Sequence, residues 1–157
     1  MQIWVDADAC PRDAKELLYK TAKRTKTKTI FVANQQVRVP GSKYLDTVLV
    51  KSGANVADQK IVEMMQAGDL VITADIPLAA DVVEKGGLAI NPRGELYTDK
   101  NIGERLAVRD LMDGLRGGGE ITGGPSNYND KDRQAFANQL DRCITAAKKS
   151  DSNTSNP

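Results

Sequence analysis

The residues best suited to chemistry in this chain are aspartates. Asp6 and Asp8 follow a short apolar run, Ile3 to Val5, and Asp75 ends another, Val71-Ile72-Thr73-Ala74-Asp75. Asp58 and Asp81 fall in segments with helical spacing. The 157 residues include no histidine and two cysteines, Cys10 and Cys143. The first absence removes Ser-His-Asp and Cys-His catalysis, imidazole acid/base chemistry and His-containing zinc sites. Two thiols cannot build a zinc site or a disulfide framework. Carboxylates, amines and a bound metal remain. Carboxylates gathered in one crevice repel each other unless a cation neutralises them or some take up protons. Oxygen donors without Cys or His select hard cations, Mg²⁺ or Mn²⁺. Such an ion polarises a phosphoryl oxygen and activates a water, with no histidine required.

Each acid also has a plainer use. Asp8 lies three residues before Pro11 and Asp75 two before Pro77; an acid near a helix N-terminus contributes about 0.3–1 kcal/mol by itself. Asp58 sits in a first helical turn, and Asp81 reads equally as a solvated helix residue. Asp6 is harder to dismiss, because a lone carboxylate directly ending an apolar strand is costly to bury. Lys15, Arg93, Arg109 and Arg116 are candidates to hold phosphates; pairing on helix surfaces accounts equally well for Arg109 and Arg116. Thr73 either orients a water or phosphate or packs at a strand end. Cys10, with acids two and four residues away, reads as structural.

The elements that must position these residues alternate. Strands are expected at Ile3 to Val5, Thr29 to Ala33, Thr47 to Val50, Leu70 to Thr73 and Leu88 to Ile90. Helices are expected over 12–24, 56–67 and from Pro77 to near Gly86-Gly87. This alternation predicts an α/β fold, a three-layer sandwich with a mainly parallel sheet of about five strands. C-terminal helices follow at about 101–115 and 130–148. Residues 1–149 form one domain by the size prior, and the polar tail 150–157 is expected to be disordered. In an open parallel sheet ligands bind beyond the carboxyl ends of the strands, where Asp6, Asp8 and Asp75 fall, and the first and fourth strands are expected to be neighbours. The segment Gly117 to Pro125 reads as a mobile loop or an approach to a nucleic-acid backbone; it is not a nucleotide P-loop, since no Lys-Ser/Thr ends it.

Net charge is +1, but residues 1–45 carry nine bases and four acids, and residues 46–85 carry three bases and seven acids. The Lys23-Arg24-x-Lys26-x-Lys28 stretch is therefore either a solvated helix end or a phosphate-contacting edge beside an acidic centre. Aromatic residues are 4% of the chain, which argues against an extensive base-stacking platform. No apolar run approaches the ~20 residues of a membrane span, and no charged leader precedes the first strand. A cytoplasmic protein without a membrane partner is the expectation; a homo-oligomer is left open.

The opening, Met1-Gln2-Ile3-Trp4-Val5-Asp6-Ala7-Asp8-Ala9-Cys10-Pro11, resembles that of the bacterial YaiI/YqxD family. So do Ala57-Asp58 through Ile61, Gly68 to Ala79, Asn91-Pro92-Arg93-Gly94, Asn101-Ile102, Arg109, Leu115-Arg116 and Gly124-Pro125 with the helix that follows. The resemblance spans roughly residues 1 to 145. It implies kinship with PIN and NYN nuclease domains and an acidic Mg²⁺ or Mn²⁺ centre acting on RNA before DNA. By that resemblance Asp6, Asp58 and Asp75 match the acids of the centre, Asp8 and Asp81 are additions to it, and Asn91 joins the substrate-binding residues. Asn91-Pro92-Arg93 stands where many PIN nucleases carry a further acid.

Three readings of function follow. In the first, a metal-dependent nuclease uses Asp6, Asp8, Asp58 and Asp75 as catalytic and metal-holding groups, with Lys15 and the basic stretch on the backbone. In the second, Asp6-x-Asp8 opens a haloacid-dehalogenase-like phosphatase, although Ala9-Cys10-Pro11 departs from that pattern. In the third, a nucleic-acid- or protein-binding module keeps an acidic pocket without catalysis.

Overall fold

β1 (Ile3–Asp6) is buried along its whole length and occupies the middle of the sheet. It pairs in parallel with β2 (Thr29–Ala33) on one side and with β4 (Leu70–Ile72) on the other. β3 (Leu45–Leu49) extends the sheet beyond β2, and β5 (Leu88–Ile90) extends it beyond β4. A computed structural model describes residues 1–53, 55–117 and 127–154. Buried parallel strands read as unbroken apolar runs, because both faces are covered, and this is why they are visible in the sequence.

Side chains alternate between the two faces. Ile3, Val5, Phe31, Ile72 and Ile90 pack on one face with Leu18 and Ala22 of α1 (Arg12–Thr25) and Phe136 and Leu140 of α5 (Asp130–Thr154). Trp4, Ile30, Val32 and Val71 pack on the other with Ile61 of α2 (Val56–Met64) and Leu78 and Val82 of α3 (Ile76–Glu84). α4 (Ile102–Gly117) lies against α3. Among the described residues no helix is long and apolar enough to cross a membrane.

Two expectations need correction. The sheet has six strands, order β3-β2-β1-β4-β5-β6, because β6 (Leu96–Tyr97) turns back antiparallel on β5. Two residues carry no periodicity, so the strand left no trace in the sequence. α5 continues to Thr154, since no glycine or proline interrupts it before Pro157; residues 150–154 of the expected tail are therefore helical, and 155–157 lie outside the described residues. So do residues 118–126 of the glycine-rich loop.

The β5–β6 turn closes on Gly94, at φ +95°, where an added Cβ would stand 2.6 Å from the Ala135 backbone of α5. Positive φ and backbone contact together leave room only for glycine. Gly94→Ala is expected to destabilise the protein by about 2–4 kcal/mol, read as a lower urea midpoint; an unchanged midpoint would mean that α5 is not seated on this turn.

Chain direction decides which charges meet. Parallel strands place Asp6 and Asp75 at the carboxyl edge. α1 then returns the chain to the amino edge, where Lys28 immediately precedes β2 and Thr29 pairs with Ile3. Lys28 is thus level with Gln2, four residues or about 13 Å from Asp6 along the strands. The basic stretch is not beside the acidic centre but at the opposite edge of the sheet.

Candidate acidic active site

Asp6 ends the central strand and is only 7% exposed. The Thr73 hydroxyl, just past β4, donates to its Oδ2 at 3.0 Å, and that is its one hydrogen bond among the described residues. Thr73 is itself held by its N–H donating to Ile90 O, and its Oγ1 accepts from Asp75 N–H at 3.0 Å. One hydroxyl thus ties the end of β1 to the start of α3. Burial raises the Asp6 pKa above the usual carboxylate range; the Thr73 bond opposes the rise, and the charges of Asp75 and Asp8 add to it.

Asp69 provides the contrast. It is as buried, at 8%, but it accepts from Gln2 N–H, Trp4 Nε1–H and Gln66 N–H. A carboxylate given three donors is a structural anchor. Asp6, given one donor and faced by acids, is not.

Asp75 caps α3, accepting from Leu78 N–H at 3.0 Å. The helix-end use open to it in the sequence is real, and it occupies Oδ1. Asp58, in the first turn of α2, has a pKa raised to about 6. Burial is the largest cause, followed by the Asp75 and Asp6 charges; the closeness of its carboxyl to that of Asp75 and the charge of Asp81 add to the rise. Asp58, Asp75 and Asp81 line a cleft of about 510 Å³ between α2, α3 and α4, together with Asn55, Gln59 and Arg109; Asp6 lies behind them, buried, and is not part of its lining. The N-termini of α2 and α3 both border the cleft, which favours negative groups there. Asn55 and Gln59 escaped the sequence reading, as did Glu63; they are spaced four residues apart along α2, so the helical face carrying Asp58 was the available signal.

The remaining candidates separate from this group. Asp8 lies in a single 3₁₀ turn, Ala7–Ala9, and its exposed carboxylate accepts from Asn34 N–H at 2.8 Å, joining the ends of β1 and β2. Lys15 stands in the first turns of α1, on the opposite face of the sheet from α2 and α3, where its charge is felt by Cys10. Burial pushes the Cys10 thiol up to about 12, in keeping with a structural cysteine. Asn91 builds the β5–β6 turn, accepting from the N–H groups of Arg93 and Glu95. Arg93 pairs with Asp132 at 2.7 Å and lies over the Tyr128 ring, fastening α5 to that turn. Arg109 contacts Asp110 at 3.2 Å and borders the cleft. The side chain of Arg116 lies outside the described residues.

A family model described as "Uncharacterized BCR, YaiI/YqxD family" matches residues 4–146. The chain belongs to the YaiI/YqxD family. The span matched runs from β1 through most of α5 and includes every element that borders the cleft. A UPF0178 protein of Shewanella piezotolerans is 58% identical over 148 residues, 94% of this chain and 97% of the relative. One of Pectobacterium carotovorum is 58% identical over 149 residues, 95% and 99% of the two chains. One of Syntrophotalea carbinolica is 59% identical over 145 residues, 92% and 98%. No solved structure matches the chain.

The Thr73 hydroxyl joins the two acids, donating to Asp6 and accepting from Asp75 N–H. Thr73→Val keeps the shape and removes the hydroxyl, leaving Asp6 without its donor and Asp75 N–H without its acceptor. A loss of about 1–3 kcal/mol is expected in chemical denaturation. A variant as stable as the wild type would show that this hydroxyl does not link β1 to α3.

Proposed function

We propose that the chain is a divalent-metal-dependent phosphodiesterase that hydrolyses RNA, built on a three-layer PIN-like sandwich. The observation that carries this reading is Asp6, a buried carboxylate with one donor, set among the charges of Asp75, Asp8 and Asp58. Such a group is unfavourable in the protein alone and favourable beside a cation.

The donor set fits a hard cation, being oxygen only. Among the described residues no group of three or more acidic or thiol side chains is arranged to hold a metal ion. The fit is therefore to Mg²⁺ or Mn²⁺ held by one or two carboxylates, Asp6 and Asp75, with water and substrate phosphate completing the shell. When bound, the ion supplies polarisation of the phosphoryl oxygen and activation of a water. Thr73 holds Asp6 in place. Asp58, with a pKa of about 6, is ionised at neutral pH yet basic enough to take the proton of the attacking water. Arg109, on the α4 wall, is placed to meet the charge that develops on the phosphate, and the α2 and α3 N-termini assist it.

A phosphoaspartate reaction would need Asp8 turned toward the same substrate as Asp6. Its bond to Asn34 N–H directs it to the end of β2 instead, so hydrolysis by water is the better supported chemistry. The deciding assay is cleavage of labelled single-stranded RNA with Mn²⁺, compared between the wild type and Asp6→Asn.

A further inference from the structure

From Leu17 to Leu45 the chain carries seven bases and no acid. The fold gathers most of them at the amino edge of the sheet. Lys23 lies in the last turn of α1, Lys26 follows it, and Lys28 leads into β2. Tyr44 C=O accepts from Thr29 N–H, which brings Lys43 beside them, its ammonium 5.2 Å from the centre of the Tyr44 ring. α5 runs alongside α1, from Asp132 at the carboxyl edge, paired with Arg93, to Lys148 at the amino edge, where Lys148 donates to Thr25 O. Lys149 is therefore added from a second helix.

Cations at helix C-termini are stabilising, and that accounts for Lys23, in the last turn of α1, and for Lys26, its C-cap. It does not account for Lys28 and Lys43, which lie outside the helices, or for Lys149, five residues before the end of α5. Arg24 is neutralised by Asp141 at 2.7 Å. Lys23, Lys26, Lys28, Lys43 and Lys149 take part in no ion pair among the described residues. In a chain of net charge +1, this is a segregated positive field, opposite the acidic cleft.

We propose that this amino-edge surface, formed by Lys23, Lys26, Lys28, Lys43 and Lys149, binds the sugar–phosphate backbone of single-stranded RNA at a site separate from the acidic cleft. It rests on the proposed activity only in naming RNA as the polyanion. An anionic bilayer fits less well. Surface insertion needs exposed apolar side chains among the bases, whereas the exposed large ones described are Leu49 at the carboxyl edge, Met64 on the α2 layer, and Val108, Leu111 and Met112 on α4. Binding here holds a strand by its backbone while leaving another part of it free to reach the cleft around the domain. Contacts of this kind are independent of base sequence and steeply salt-dependent.

The test is fluorescence anisotropy of a labelled single-stranded RNA in EDTA, which stops metal-dependent cleavage. Wild type, Lys23→Gln/Lys28→Gln/Lys149→Gln and Asp58→Asn are compared, with folding checked by circular dichroism. The triple variant is expected to bind roughly tenfold or more weakly, its salt slope reduced by about 2 at ~0.7 per lost phosphate contact. Asp58→Asn is expected to bind at least as well as the wild type. RNA binding unchanged in the triple variant would overturn the proposal. So would a wild type that ignores RNA but sediments with phosphatidylserine vesicles. Lysine-dependent binding in a protein that shows no cleavage with Mn²⁺ would leave the basic edge standing and remove the phosphodiesterase reading.

Discussion

Asp6→Asn is expected to end Mn²⁺-dependent RNA cleavage and to leave the protein at least as heat-stable as the wild type. The two effects share one cause. The carboxylate is 7% exposed, accepts one hydrogen bond and faces other acids, so its ionised form is held at a cost. Asparagine keeps the shape and the oxygen that accepts from Thr73, and it adds an amide that can donate to a neighbouring carboxylate. Relief of the buried charge is expected to be worth about 1 kcal/mol, a rise of roughly 2–4 °C in Tm for a chain of this size. Loss of a charged metal ligand removes several kcal/mol of transition-state stabilisation, and about 3–4 kcal/mol corresponds to roughly 10²–10³ in rate. Asp69→Asn is the control. Its carboxylate accepts from three donors at the other edge of the sheet, so that variant is expected to lose stability while the folded fraction keeps its activity. An Asp6→Asn protein that cleaves at the wild-type rate, with contaminating nuclease excluded, would remove Asp6 from the chemistry. One that melts far below the wild type would make Asp6 an anchor like Asp69.

The contrast between these two aspartates marks the limit of what residue order reveals. Both adjoin apolar runs, and in sequence they look alike. Only the fold shows that the Gln2, Trp4 and Gln66 donors converge on one and a single threonine hydroxyl reaches the other. The long strands, the helices between them and the placing of Asp6 and Asp75 at one edge were legible, because buried parallel strands and amphipathic helices each impose a repeat on the chain. The adjacency of β1 and β4 was legible for another reason, since it belongs to a common doubly wound strand order. β6 was not, since two residues hold no repeat. Nor was the pairing of Arg93 with Asp132, whose partner is 39 residues away; the arginine read only as a candidate to hold phosphate, and its fastening of α5 came with the fold. The basic stretch was visible as composition, but its edge depends on α1 reversing the chain, and closeness in number to Asp6 misled. Asp75 carried two readings, cap and site acid, and the fold gives it the cap while keeping it beside Asp58.

Asp58 should make the stability of the protein fall as pH rises, against the usual trend for acids in ion pairs. Its pKa is raised from 3.8 to about 6 by burial and by Asp75, Asp6 and Asp81. The folded state therefore holds this proton more tightly than the unfolded chain does. Below about pH 4 the carboxyl is protonated in both states and exacts no penalty. Through pH 4 to 6 the unfolded chain has released the proton while the fold retains it, and stability declines with each step. Above about pH 6 the charge is present in the fold, and the repulsion is felt in full. A shift of this size corresponds to at most ~3 kcal/mol; because the group is partly open to solvent, screening reduces the expected effect to about 1 kcal/mol. Ion pairs such as Arg93–Asp132 slope the other way, so the informative quantity is the wild type minus Asp58→Asn, measured by urea denaturation across pH 4 to 8. That difference should be near zero at pH 4 and about 1 kcal/mol against the wild type at pH 7. Mg²⁺ at millimolar concentration should close the gap at pH 7 by stabilising the wild type, and should do little at pH 4, where protons already neutralise the cleft. A difference that stays flat with pH would mean that Asp58 is not held among like charges. A gap that opens as expected but ignores Mg²⁺ and Mn²⁺ would leave an acidic cleft with no affinity for the ion on which hydrolysis depends.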